Sequence, residues 1–182
     1  MRSLSLFGAL GLASLLAACG ACSKSKASNG KPGSGGGPGT AQVKSTGPAP
    51  VTQWPAGAPQ EKVDGDGFVV TFAAPPATPG SQALAVVEVK PKKPYHLNHE
   101  YPTELHLTAP DGVALVKVLY ENNPDKQEAK VWHDEVGVFE VAFTAKDKGA
   151  PRTIQANFLF AVCTEASCDP KTATLSIPVV TP

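Results

Sequence analysis

From residue 68 to residue 179 the chain alternates short apolar stretches with polar breaks. Within the stretches, apolar and polar residues change places at every second position, the period of a half-buried strand. The stretches are 68–72 (FVVTF), 82–90 (QALAVVEVK), 103–108 (TELHLT), 113–120 (VALVKVLY), 130–132, 138–143, 153–162 and 172–179. Breaks rich in Pro, Gly, Asp and Asn separate them: AAPPATPG, APDG, ENNPDK and KDKGAP. Such clusters supply the backbone angles of turns and cannot continue a strand. No segment carries a sustained 3.6-residue period with helix caps.

Parity assigns the faces. In 153–162, Ile154, Ala156, Phe158, Phe160 and Val162 share one apolar face, which is expected to point into the core. Thr153, Gln155, Asn157 and Ala161 lie opposite, and Cys163 falls with them. In 172–179, Ala173, Leu175, Ile177 and Val179 form the apolar face. Phe139, Val141 and Phe143 do the same in 138–143. Seven or eight such strands in about 120 residues, enough for one core, predict an all-β fold. The expected architecture is an immunoglobulin-like antiparallel β-sandwich over residues 61–182.

The part before it has a different composition. Residues 20–60 are dominated by Gly, Pro, Ser, Ala and Lys with no apolar period. They cannot bury enough surface to offset their ordering entropy, so they read as a disordered tether. A Gly-rich coil of about 40 residues spans about 35 Å. Trp54 is its one large aromatic and reads as a stray linker residue. Charge divides at the same place: residues 1–60 carry five basic and no acidic side chains, residues 61–182 carry 11 basic and 16 acidic, a net of −5. An acidic domain argues against nucleic-acid binding, which needs a basic face. The lysines of the tether favour anionic lipid.

Residues 1–18 have the pattern of a secretory signal: Arg2, an apolar stretch from Leu4 to Ala18, and small residues at Ala17 and Ala18. The stretch is too short to span a bilayer as a stable anchor. The junction Leu16-Ala17-Ala18-Cys19 resembles the lipobox of bacterial lipoproteins. That resemblance implies cleavage before Cys19, acylation of Cys19, and a lipid-anchored tether over 19–60. Each buried methylene contributes about 0.8 kcal/mol, and more than one acyl chain gives stable anchoring. Gly20 in place of Asp implies the outer membrane of a Gram-negative envelope, on its periplasmic side. Cys22 has no evident partner.

Cys163 and Cys168 flank Thr164-Glu165-Ala166-Ser167, a plausible hairpin loop that would set the two cysteines facing each other. Disulfides persist outside the cytoplasm. A bridge here closes a loop of about six residues and removes only about 2 kcal/mol of unfolded-state entropy on the chain-entropy model. A polar-face position also leaves it open to an attacking thiolate. On the residues alone both a structural bridge and an exchanging pair remain open. Glu165 reads as a solvated turn residue.

The stretch FLFAVC-TEAS-CDP followed by TATLSIPV, with VGVFEVAFTA and KDKGAP upstream, resembles the end of the amino-terminal periplasmic domain of the thiol:disulfide interchange protein DsbD. The likeness covers about residues 130–180. It implies an immunoglobulin-like fold and a catalytic pair, Cys163 and Cys168, cycling between dithiol and disulfide. The implied partners are periplasmic thiol-disulfide proteins. The described sequence has neither transmembrane helices nor a thioredoxin-like domain, so the resemblance also implies a separate membrane electron donor. Where that family carries an aromatic cap loop, ENNPDKQEAK holds no aromatic residue; Tyr120 and Trp132 flank it. The alternative is a non-enzymatic envelope binding module of the same fold with a structural disulfide.

His96, His99 and His106, with Glu100 or Glu104, are the other chemical cluster. Imidazoles suit copper or zinc, but the spacing matches no metal motif, and they read as ordinary strand and loop residues. No metal and no cofactor is expected.

Overall fold

The computed structural model describes residues 52–182; Cys19, Cys22 and the signal-like segment lie outside the described residues. Among the described residues there are eleven strands and no helix, and every strand pairing is antiparallel. One sheet runs β1 (Glu61–Gly65), β2 (Phe68–Ala73), β3 (Gln82–Pro91), β9 (Val136–Ala145), β6 (Val113–Leu115), with β8 (Val131–His133) also on β9. The other runs β11 (Cys168–Val179), β10 (Arg152–Cys163), β5 (Thr103–Thr108), β7 (Leu119–Asn122), with β4 (His96–Leu97) also on β10. The two sheets pack as an immunoglobulin-like β-sandwich.

The period-2 pattern supplies both inner faces. Val70, Val87, Val89, Phe139, Val141 and Phe143 come from the first sheet; Leu105, Ile154, Phe158, Phe160, Leu175 and Ile177 come from the second. Two aromatic contacts cross between the sheets. Phe139 meets Phe158 with ring centroids 5.6 Å apart at 87°, and Phe68 meets Phe160 at 4.9 Å and 88°. Both are edge-to-face pairs, the arrangement that the ring quadrupole favours. Phe158 and Phe160 themselves lie 4.8 Å apart, so the four rings form one connected chain through the core.

The expected strand 113–120 is two strands in two sheets. Val116 N–H donates to Ala142 O in the first sheet at 3.1 Å, and Leu107 N–H donates to Val118 O in the second at 2.7 Å. The chain therefore crosses from one sheet edge to the other at Val116-Lys117-Val118, as strands do at sandwich corners. At the crossing neither sheet lies under the side chains, so Val116 and Val118 remain 68% and 62% exposed. Two strands had no visible pattern: β1 is an edge strand with one apolar residue, Val63, and β4 has only two residues.

Trp54 is not a stray aromatic. It packs on Val86, Val136 and Val138, which form a second apolar cluster on the face of the first sheet turned away from the core. Thr52 Oγ1 donates to Glu88 Oε2, and Lys90 Nζ donates to Glu88 Oε1 at 2.8 Å. These partners satisfy a carboxylate that is otherwise buried on the sheet. The alternation of β3 and β9 thus fails on its outer side because a segment of the chain covers it.

Replacing Phe158 with Ala removes the ring that links both cross-sheet contacts. It is expected to destabilise the domain by about 3–5 kcal/mol. Trp54→Ala removes a partly buried contact at the periphery and is expected to cost about 1–2 kcal/mol. Urea unfolding followed by circular dichroism measures both; a smaller loss for Phe158→Ala than for Trp54→Ala would contradict this division of the core.

Candidate functional site

β10 and β11 pair along their whole lengths, twelve residue pairs from Arg152↔Val179 to Cys163↔Cys168. Asp169-Pro170 does not shift the register. The hairpin closes through Thr164 N–H donating to Ser167 O at 2.8 Å, and Thr164 Oγ1 accepts from Ala166 and Ser167 N–H at 3.3 and 3.2 Å. A backbone bond at 164/167 makes the adjacent cysteine pair a non-hydrogen-bonded one, where opposite Cβ atoms come closest. Cys163 and Cys168 form a disulfide, with Cα atoms 4.0 Å apart.

The two sulfurs have unequal surroundings. Cys168 is exposed, whereas Cys163 is only 2% exposed. The expectation that both would lie open on a polar face therefore holds for Cys168 alone. The outer face of β10 changes along its length: Gln155 and Asn157 are exposed, Leu159 is partly covered, and Ala161 and Cys163 are buried. Parity put Cys163 on the correct face; it could not show that something lies over that face.

The cover comes from a break in the neighbouring strand. β4 and β5 flank the same side of β10, β4 opposite Val162 and Cys163 and β5 opposite Gln155 to Leu159. Between them, residues 98–102 leave the ladder. Asn98 begins this excursion and uses every polar group it has. Its N–H donates to Ala161 O at 3.0 Å, and its carbonyl accepts from Trp132 Nε1 at 3.0 Å. Its Oδ1 accepts from Glu100 N–H at 2.8 Å and from Tyr101 N–H. Its Nδ2 lies 3.2 Å from Cys163 Sγ and 3.4 Å from Cys168 Sγ. An Asx turn of this kind holds a short loop in a fixed shape.

The turn between β8 and β9 pins this lid from the other sheet. Leu97 N–H donates to Asp134 O at 2.8 Å, and His99 Nε2 lies 2.8 Å from Asp134 Oδ1. Trp132 meets Phe139 edge-to-face with centroids 6.0 Å apart while its indole N–H holds Asn98. Of the two aromatic residues named as cap candidates, Trp132 is the one that bonds the loop over the pair, at the Asn98 carbonyl. Tyr120 is drawn into the core against Phe139, with its hydroxyl oxygen accepting from Ala142 N–H at 3.3 Å. Residues 121–130 fold back as a small turn at the sheet edge. Glu128 accepts there from Lys117 Nζ and from Glu121 N–H at 2.8 Å, and these donors hold its carboxyl below the usual carboxylate range.

Just past Cys168 on β11, on the opposite face of the strand, Lys171 Nζ lies 2.6 Å from Asp169 and 3.2 Å from Asp66, and the Asp169 contact most of all raises its pKa above the ordinary lysine value. Asp66 belongs to the turn between β1 and β2, so this ion pair ties the base of the cysteine hairpin to the first sheet. Glu165 is exposed at the hairpin tip. The three central histidines disperse: His96 sits beside Cys163 on β4, His99 takes Asp134, and His106 takes Glu104 at 2.7 Å. Among the described residues no three potential ligands converge.

Asn98 is the site residue that sequence reading missed. Its signal was faint: an Asn two and three residues before the amides it caps, inside a stretch whose histidines drew attention instead.

No protein-family model matches the chain, and no curated protein matches it. Among solved structures, the chain is similar to the crystal structure of AggA, the major subunit of aggregative adherence fimbriae type I from Escherichia coli. The identity is 8% and the TM-score 0.32, over 67% of this chain and 99% of that one.

Proposed function

We propose that this protein is a lipid-anchored lipoprotein of a Gram-negative envelope that exchanges disulfides with periplasmic partner proteins through Cys163 and Cys168. The observation that carries the reading is the inequality of the two sulfurs: one exposed at a hairpin end, the other buried beneath a hydrogen-bonded lid. Exchange needs one sulfur that an incoming thiolate can reach and a second that leaves and later resolves. A pure staple needs neither. The bridge also joins strands already held in register over twelve pairs, where it adds little to the fold.

In this reading a partner dithiol supplies two electrons. Its thiolate attacks Cys168 Sγ, the S–S bond breaks, and Cys163 leaves as a thiolate. The partner's second thiolate then attacks its own sulfur in the mixed disulfide and releases Cys168, so the partner ends as a disulfide and this pair as a dithiol. Run backward against an oxidised partner, the same steps deliver the electrons. The resemblance of residues 130–180 to the amino-terminal domain of DsbD supports this chemistry and a separate membrane electron donor. Acylated Cys19 at the head of the tether would keep the domain at the membrane, outer rather than inner because Gly20 follows it.

The burial of Cys163 favours a second reading, a non-enzymatic envelope module with a structural bridge. The reduction potential separates the two. Exchange requires a value above about −300 mV, measured by equilibration with glutathione; a value far below that leaves a structural bridge. Reduction of the bridge is expected to lower unfolding stability by no more than about 2 kcal/mol, measured as the shift in urea midpoint between oxidised and reduced protein. In periplasmic extract, Cys163→Ser is expected to accumulate mixed disulfides through Cys168, and Cys168→Ser to accumulate few. Equal trapping by both variants would remove the assigned order of attack.

A further inference from the structure

Burial works against the chemistry assigned to Cys163. A thiolate removed from water is disfavoured, its pKa rises, and a thiol of high pKa leaves slowly from a disulfide. With Cys163 as a residue 2% exposed, the pair would resist reduction unless something other than water receives the charge.

Resting on the exchange reading, we infer that the Asn98 side-chain amide stabilises the Cys163 thiolate, so that the lid which buries this sulfur also supplies the donor that lets it leave. The orientation of the amide follows from its neighbours. Oδ1 must face the N–H groups of Glu100 and Tyr101, because a side-chain nitrogen there would set donor against donor. Nδ2 is thereby turned toward the bridge, 3.2 and 3.4 Å from the two sulfurs. It carries two hydrogens, enough for both. Against a disulfide sulfur such a bond is weak. Against a thiolate it is charge-assisted and much stronger, so its effect falls on the reduced state and on the step in which Cys163 leaves. Trp132 and Asp134 hold the lid in place and keep the amide aimed.

Asn98→Ser and Asn98→Asp test this in the full-length protein. Both retain an oxygen for the loop amides, and neither offers a side-chain amide donor to the sulfurs. The charged and titratable groups around the pair are His96 on β4, His99 and Glu100 on the lid, Asp134 beneath it, Glu165 at the hairpin tip, and Asp169 and Lys171 on β11. All are unchanged in either variant. Titration by ultraviolet thiolate absorbance in a Cys22→Ser, Cys168→Ser background, where Cys163 is the thiol left to titrate beside the acylated Cys19, is expected to show the Cys163 acid dissociation constant lowered roughly tenfold in Asn98→Ser, and further in Asn98→Asp. The rate of bridge reduction by dithiothreitol is expected to fall in the same order.

A purely structural role gives a different result. Loosening the lid would let water reach Cys163, favour its thiolate, and raise the dissociation constant. An unchanged or increased constant in Asn98→Ser therefore overturns the inference. The titration needs no partner protein. A protein that traps no partner but shows the lowered constant refutes the exchange reading and leaves the amide's effect on the thiolate standing; the reverse outcome refutes the amide's role alone.

Discussion

The ladder between β10 and β11 constrains everything at the candidate site. Side chains alternate along a strand with a period of two, so a slip of one residue would turn Ile154, Phe158 and Phe160 to solvent and carry the polar set inward. Burial of that apolar face against Phe139 and Phe68 locks the register. Once it is locked, Cys163 and Cys168 must lie opposite each other at its end. The disulfide is thus a consequence of core packing far more than a cause of it.

The same strand explains why the two sulfurs differ. β10 is bordered on one side by β11, whose end is open, and on the other by β4 and β5, whose junction bulges over the outer face. Cys163 is buried under the bulge, whereas Cys168 meets it at the Asn98 amide and stays exposed. The lid is a five-residue interruption in the ladder, and its irregular backbone is satisfied almost entirely by one side chain, Asn98, together with Trp132 and the β8–β9 turn. Breaks of this kind re-aim side chains where chemistry is done. Here the break brings a neutral amide to two sulfurs and holds the lid to the opposite sheet.

The first sheet has a comparable arrangement on its own outer face. Trp54 covers Val86, Val136 and Val138, and Thr52 joins Lys90 on the buried Glu88. In each sheet, then, the outward face is closed at one place by a segment outside the regular strands. One closure involves residues just ahead of β1, the other a loop within the sheet. In both, the alternation visible in sequence fails where something lies on top.

Much of the fold was legible because period-2 alternation is a local property with a single physical cause, one wet face and one dry face. The inward sets of β9, β10 and β11 follow from it directly, as does the facing of the two cysteines across a four-residue turn. Sequence alone also carried the change in composition and charge near residue 60, because composition needs no partner. What alternation cannot encode is contact with a distant segment. The division of 113–120 between two sheets, the docking of Trp54, the burial of Cys163 and the role of Asn98 all arise from residues tens of positions away. Asn98 and Cys163 are 65 residues apart, and only closure of the sandwich brings the amide to the sulfur.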